Sequence, residues 1–192
     1  MTIQKLFNSV LDFLFPQKCV GCGISGELLC EDCLFKIPRP ENNLENDTIV
    51  PFSYKNKVIK EAVKILKFKG AFSVARPLGI FMRELILEEL AEKIEMDVFT
   101  EKEPMVIIPV PLHEKRFKER GYNQAEILAK EIILADAGEN FALETDILIK
   151  TKNTESQVSA KDKKGRLKNL KDAFEVQNAE KIVEDSPGRL EE

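Results

Sequence analysis

Four cysteines lie within a stretch of 15 residues near the start of the chain, and the rest of the sequence holds none. They are Cys19, Cys22, Cys30 and Cys33, so two Cys-x2-Cys pairs are separated by seven residues. Each pair lets two thiolates of one tight turn reach the same metal ion, and two pairs complete a tetrahedral four-cysteine shell. The spacing therefore predicts a structural zinc site.

Two disulfides are the alternative use of these cysteines. Disulfides persist in oxidising compartments, and the sequence shows no secretory signal peptide that would lead to one. We therefore expect a helix and a double Cys-x2-Cys zinc module over residues 1–40. Because all four ligands come from the protein, the zinc is expected to organise structure and to leave no position for a substrate.

The bulk composition indicates a globular protein with an uneven distribution of charge. The chain has 192 residues, of which 43% are hydrophobic, and a net charge of −4. This length suits one ordinary domain with a small appendage. The negative total does not indicate a nucleic-acid binder, but residues 150–171 contain eight Lys or Arg and only two acidic residues. No apolar run is long enough to predict a membrane-spanning helix.

Apolar periodicity predicts alternating helices and strands after a polar stretch at residues 38–47. Helices are predicted over residues 56–69, 75–93 and 121–135, and strands over residues 48–54, 105–110 and 145–150. This alternation favours βαβ units and a parallel sheet. We therefore expect an α/β domain over residues 48–183, followed by a disordered tail at residues 184–192.

A basic segment at residues 109–124 follows the predicted strand at residues 105–110. Ligands of open α/β sheets bind at the carboxyl ends of strands, and the next helix offers backbone N–H groups to an anion. Lys115, Arg116 and Arg120 supply donors suited to phosphate. A solvated basic turn is the alternative. His113, the only histidine, is not expected to be catalytic, because no nucleophile or orienting carboxylate is placed around it in the sequence.

The basic stretch at residues 150–171 is a second candidate for binding an anion. Its positive charge suits a phosphorylated ligand or a nucleic-acid backbone, and an exposed lysine-rich loop is the alternative. Few aromatic residues are interleaved with its lysines. Base stacking on this stretch is therefore not expected.

Four segments together resemble the ComF family, bacterial competence proteins with a zinc-finger front and a phosphoribosyltransferase-like body. In chain order they are FPQKCVGCGISGELLCEDC (residues 15–33), SYKNKVIKEAVKILKFKG (53–70), IIPVPLHEKRFKERGYNQAEILA (107–129) and TKNTESQVSAKDKKGRLKNLKDAF (151–174). The most specific matches are PVP at residues 109–111 and RGYNQ at residues 120–124. The family usually has arginine near Lys150 or Lys152. Lysine keeps the positive charge there but lacks the two parallel N–H donors of a guanidinium.

The resemblance implies a type I phosphoribosyltransferase-like parallel sheet with flanking helices. It also implies contacts to phosphate, pyrophosphate or another polyanion from Lys115, Arg116, Arg120, Gly121, Asn123, Gln124, Gln157 and Arg166. In such proteins an apolar strand leads into an Asp-Asp-Val-x-Thr-Thr-Gly loop that holds phosphoribosyl pyrophosphate (PRPP). From residue 182 this chain instead reads IVEDSPGRLEE. We therefore expect an incomplete, C-terminally truncated domain, with Mg²⁺ present only if PRPP is bound.

Three functions follow from the resemblance. The first is assistance to the uptake of single-stranded DNA in transformation, beside a helicase and a membrane channel, in the cytoplasm or at the inner face of the membrane. The second is phosphoribosyltransferase activity, against which the absent loop argues, so that enzymatic activity stays open and no catalytic residue is assigned. The third is a truncated or frameshifted fragment without a function of its own.

Overall fold

The computed structural model describes residues 17–40, 48–68, 70, 72–95, 104–154 and 170–184. The predicted N-terminal helix, most of the polar stretch at residues 38–47 and nearly all of the predicted tail lie outside these ranges. So do residues 155–169 of the second basic stretch, including Gln157 and Arg166. The described residues up to Ile86 belong to one compact unit, and those from Leu87 onward belong to a second.

The helices of the first unit follow the predicted periodicity. They are α1 (Glu31–Phe35), α2 (Lys57–Phe68), a 3-10 turn (Phe72–Val74) and α3 (Ala75–Glu95). The side chain of Asn56 caps α2, since its Oδ1 accepts hydrogen bonds from the backbone N–H of Val58 at 2.9 Å and of Ile59 at 3.2 Å. Gly70 has a φ of +61°, which suits a residue just beyond a helix end. The predictions of α2 and α3 are confirmed.

Residues 48–54, all described, form no strand, so the strand predicted there is wrong. Pro51 lacks the N–H that a strand ladder needs. Phe52 instead packs on Phe81 of α3, with ring centroids 4.6 Å apart. The boundary between the two compact units falls within α3, whereas the predicted boundary lies in residues 38–47. The cysteine module as a separate domain stays a prediction.

The second unit begins with a parallel strand pair enclosing two helices. Its elements are β1 (Met105–Ile107), α4 (Glu114–Arg120), α5 (Gln124–Asp136) and β2 (Phe141–Leu143). β1 pairs with β2 in parallel, with Met105 opposite Phe141. This is the predicted βαβ arrangement, although β1 ends at Ile107 rather than at the predicted residue 110. The residues of β1 are half-buried.

The remaining strands pair in the opposite sense. β3 (Leu148–Lys150) and β4 (Phe174–Val176) are antiparallel, with Lys150 opposite Phe174, and α6 (Glu180–Glu184) follows. The described strands therefore form a mixed α/β structure with a small parallel sheet. A complete parallel phosphoribosyltransferase-like sheet stays a prediction.

A buried carboxylate fixes the entry to β2. Asp136, at the end of α5, is 1% exposed. Its Oδ2 accepts hydrogen bonds from the backbone N–H of Asn140 at 2.6 Å and of Phe141 at 3.1 Å, and its Oδ1 accepts from Asn140 Nδ2 at 2.8 Å. Buried polar groups need such partners, so Asp136 holds the turn between α5 and β2.

Candidate functional site

A tight turn presents the first two cysteines of the cluster. The backbone N–H of Cys19 donates to the carbonyl of Ile24 at 2.9 Å, and the N–H of Gly23 donates to the carbonyl of Cys19 at 2.9 Å. Gly23 has a φ of +77°, in the left-handed region that glycine enters without a Cβ penalty. Gly23 therefore lets the backbone turn sharply after Cys22.

The four cysteine sulfurs converge, as the spacing predicts. All four Sγ atoms lie within 4.8 Å of one another. Cys30 Sγ lies 3.5 Å from Cys19 Sγ and 3.7 Å from Cys22 Sγ. Cys19 is buried, Cys22 is exposed, and Cys30 and Cys33 are intermediate. The cluster could hold a metal ion with four thiolate ligands.

The cysteines titrate differently before any metal binds. Burial of Cys19 opposes its ionisation, but hydrogen bonds from the backbone N–H groups of Cys22, Cys30 and Gly21 outweigh burial and lower the pKa of Cys19 to about 6. The hydrogen bond with the Cys30 thiol, followed by partial burial, raises the pKa of Cys33 to about 12. For Cys30, the backbone N–H of Cys33 lowers the pKa, but burial and the Cys19 thiol together raise it above the ordinary value. The pocket therefore favours one thiolate and resists further negative charge in the absence of a cation.

Gly21 is a constituent of the cluster that the cysteine spacing does not reveal. A Cβ atom added at Gly21 would lie 2.6 Å from Cys33 Sγ and 2.9 Å from Cys33 Cβ. Only a residue without a side chain allows the first turn to approach α1 this closely. The Cys-x-Gly-Cys sequence in the first pair is the signal that could have pointed to Gly21.

In the basic segment, His113 and the predicted binding residue Asn123 cap helices. His113 caps α4, because its Nδ1 accepts a hydrogen bond from the backbone N–H of Lys115 at 3.2 Å. Asn123, which is 7% exposed, accepts from the N–H of Ala125 at 3.1 Å and donates to the carbonyl of Val110 at 3.1 Å. Asn123 therefore joins the start of α5 to the loop that follows β1.

Three further predicted residues stabilise the turn between α4 and α5. Gly121, with a φ of +82°, ends α4 by donating its N–H to the carbonyl of Phe117 at 2.7 Å. The guanidinium of Arg120 donates to the side-chain oxygen of Gln124. Lys115, the remaining predicted residue near the start of α4, is exposed, and its side chain has no hydrogen-bond or ion-pair partner among the described residues. Binding roles for these residues stay predictions.

Arg116 of α4 lies near enough to Lys150 of β3 for its positive charge to act on the lysine. Arg116 Nη2 donates to the carbonyl of Thr154 at 3.2 Å, and Thr154 is 9% exposed. Burial lowers the pKa of the Lys150 ammonium, and the nearby positive charge of Arg116 lowers it further. Within the described residues, neither cation forms an ion pair with a carboxylate, and the Lys150 Nζ lies 5.3 Å from the Phe174 ring centroid. We call Arg116 and Lys150 the cation pair.

The described helices include none long and apolar enough to cross a membrane. Comparison of the chain with protein-family models, curated proteins and solved structures gives no match. The resemblance to ComF proteins therefore rests on the sequence motifs alone.

Proposed function

We propose that the protein is a ComF-like protein that is stabilised by structural zinc and binds single-stranded DNA through the cation pair of its second unit. The observation that carries the DNA-binding part is that the positive charge of Arg116, held by its hydrogen bond to Thr154, acts on Lys150, and that neither cation has a carboxylate partner in the described structure. Two like charges brought together cost free energy, and a bound anion would offset that cost.

The chemistry of the cation pair suits a phosphate oxygen. A guanidinium carries five N–H donors, and the donation of Arg116 to Thr154 orients this group while leaving other donors for a ligand. Phosphate contacts from Lys and Arg supply most of the sequence-independent affinity for nucleic acids. The ComF resemblance favours single-stranded DNA as the polyanion and a cytoplasmic location.

Zinc is the metal that the cysteine cluster fits best. Zinc–thiolate bonds are about 2.3 Å long, so sulfurs at the corners of a tetrahedron lie about 3.8 Å apart. The Cys30 sulfur lies 3.5 and 3.7 Å from two of its neighbours, which is close to that separation. Four thiolate ligands favour zinc over the harder cations, which prefer oxygen. The ion would stabilise the thiolates that the metal-free pocket keeps protonated.

Zinc binding is expected to release at least two protons at pH 7. At this pH Cys19, with a pKa of about 6, is mostly thiolate already, whereas Cys33, with a pKa of about 12, and Cys30, with a raised pKa, are protonated. Zinc affinity should therefore rise about 100-fold per pH unit or more near pH 7, and its pH dependence should steepen below about pH 6, where Cys19 also binds a proton. Calorimetric titration of metal-free protein with Zn²⁺ in buffers of different ionisation enthalpy measures the number of protons released. Release of fewer than two protons would contradict the proposed protonation.

Neutralising the cation pair is expected to weaken binding of single-stranded DNA. The double variant Arg116→Gln/Lys150→Gln should show a salt dependence shallower by about 1.4 in log K against log[salt], because each phosphate contact on a single strand contributes about 0.7. Fluorescence anisotropy with labelled oligo-dT of about 20 nucleotides, longer than one site of this kind, provides the measurement. Lys130→Gln on α5, where the exposed lysine pairs with Glu126, is the control for lost surface charge. Equal slopes for the double variant and the control would overturn the proposed site.

Phosphoribosyl chemistry is a second candidate, favoured by the parallel pairing of β1 with β2 around two helices. PRPP would present its pyrophosphate, with Mg²⁺, to the same cation pair. Ligands that bind only the folded state raise its Tm. An increase in Tm with PRPP and Mg²⁺ that the double variant loses would favour this candidate, and DNA binding without such an increase would favour the first.

A further inference from the structure

The exposed face of α2 is a lysine stripe. Residues 54–68 contain five lysines and one glutamate, in a chain whose net charge is −4. The four lysines within α2 recur at three- and four-residue spacing and so share one face of the helix: Lys57, Lys60, Lys64 and Lys67. This face lies opposite the buried residues of α2, and the stripe extends for about 15 Å at 1.5 Å per residue.

Most of this charge is not neutralised within the described structure. Lys64 Nζ lies 3.1 Å from Glu61 Oε2, in an ion pair whose side chains are 47% and 45% exposed. Lys57, Lys60 and Lys67 form no ion pair with any described carboxylate. Exposed ion pairs contribute little to stability, so the lysine stripe is not explained by the folding of α2.

Exposed aromatic side chains flank the lysine stripe at both ends of α2. Tyr54 precedes the helix and is 57% exposed, and Phe68 is its last residue and is 70% exposed. The Lys67 Nζ lies 5.0 Å from the Phe68 ring centroid. Near the other end, Tyr54 and Lys60 line an open depression together with Phe52. Aromatic rings beside lysines are the combination on which single-stranded nucleic acids bind, because unpaired bases stack while phosphates contact the cations.

The burial of α2 disfavours a membrane surface as its partner. An interfacial helix inserts its apolar face into the lipid. In α2 that face is occupied inside the first unit, since Ile59, Ala62, Ile65 and Leu66 are all 5% exposed or less. The lysine stripe and its flanking aromatic residues remain exposed to a partner.

We propose that the lysine stripe of α2, with Tyr54 and Phe68, is a binding surface for single-stranded nucleic acid in the first unit. It is separate from the cation pair, which belongs to the second unit. The inference rests on the proposed function only in naming the same kind of ligand. Its affinity combines phosphate contacts from the lysines with base stacking on the exposed rings.

The lysines and the phenylalanine are expected to affect binding in different ways. Lys60→Gln should reduce the salt slope for oligo-dT by about 0.7. Phe68→Ala should weaken binding by about 5- to 100-fold through lost stacking, with the salt slope unchanged. Fluorescence anisotropy at several salt concentrations separates the two effects.

Matched controls exist on α5. Lys130→Gln removes an exposed lysine, and Leu134→Ala removes an apolar side chain that is 73% exposed, close to the 70% of Phe68. Neither control should change binding. Gln replaces Lys at little cost in helix propensity, and a thermal unfolding curve for each variant verifies that the first unit stays folded.

The variants test the two surfaces independently. Loss of binding in the α2 variants, with the double variant of the cation pair unaffected, supports the lysine stripe and rejects the cation pair. The reverse pattern rejects the lysine stripe and leaves the proposed function intact. Equal binding of duplex DNA with no effect of Phe68→Ala, or binding to phosphatidylserine vesicles but not to oligo-dT, would overturn a single-strand surface. If wild-type protein binds no oligo-dT at low salt, both proposals fall.

Discussion

Stripping the metal ion that we propose to be zinc from the cysteine cluster with a chelator is expected to unfold residues 17–40 and to lower the Tm of the first unit. In this segment only four side chains are deeply buried, those of Cys19, Leu29, Leu34 and Ile37. A core of this size does not keep so short a segment folded without a metal ion or a crosslink. Apparent binding free energies of structural zinc in small modules are on the order of 10–16 kcal/mol. Most of the stability of the segment should therefore disappear with the ion.

The loss of stability should extend from residues 17–40 to the elements of the first unit that this segment contacts. Phe35 of α1 packs edge-on against Phe81 of α3, with ring centroids 6.3 Å apart. Ser73 Oγ donates to the Gln17 side-chain oxygen at 3.1 Å. Because both contacts join the cysteine module to the rest of the first unit, removal of zinc should also expose the start of α3 to solvent.

Hydrogen exchange measured with and without the chelator tests this expectation. The backbone N–H of Leu34, bonded to the Cys30 carbonyl at 3.1 Å, should lose its protection, and re-addition of zinc should restore it. Cys19→Ser should reproduce the unfolding without chelator, whereas Ile24→Ala, at a side chain 63% exposed in the same turn, should not. Unchanged exchange in protein shown to be free of metal would contradict a structural role for zinc.

The sequence predicts best those parts whose stability is local. The helix α2 is predicted at both ends because its apolar residues recur at helical spacing and Gly70 follows it. The convergence of the four sulfurs is likewise predicted, since Cys-x2-Cys spacing is a property of a single turn. Both predictions depend on residues that lie within a stretch of 15 positions.

The parts that depend on partners distant in the chain are predicted poorly. β2 and β4 have three residues each, too few for a periodic signal, and exist only through pairing with β1 and β3. Residues 48–54 have the composition of a strand, but the sequence does not show that Phe52 packs on Phe81 instead. The cation pair is not visible in the sequence for the same reason, because Arg116 and Lys150 lie on different elements and come near each other only in the folded unit.

Gly21→Ala is expected to weaken zinc binding on the order of 10- to 100-fold, the range for residues that hold metal ligands in place. The added methyl group would lie 2.6 Å from Cys33 Sγ and 2.9 Å from Cys33 Cβ, closer than non-bonded atoms approach. Cys33 lies within the helix α1, so relief of the overlap requires α1 or the first cysteine turn to move. Either movement displaces a sulfur from the cluster.

Gly23→Ala is the matched control, because it adds the same methyl group where no atom lies within 4 Å. Its φ of +77° makes alanine unfavourable by about 1 kcal/mol through the backbone alone. Gly23→Ala should therefore lower stability modestly while retaining most of the zinc affinity, whereas Gly21→Ala should lose affinity. Competition with a chromophoric zinc chelator measures both affinities. Equal affinities would show that the contact between Gly21 and Cys33 does not position the sulfur, and the cluster would then owe its geometry to the turns alone.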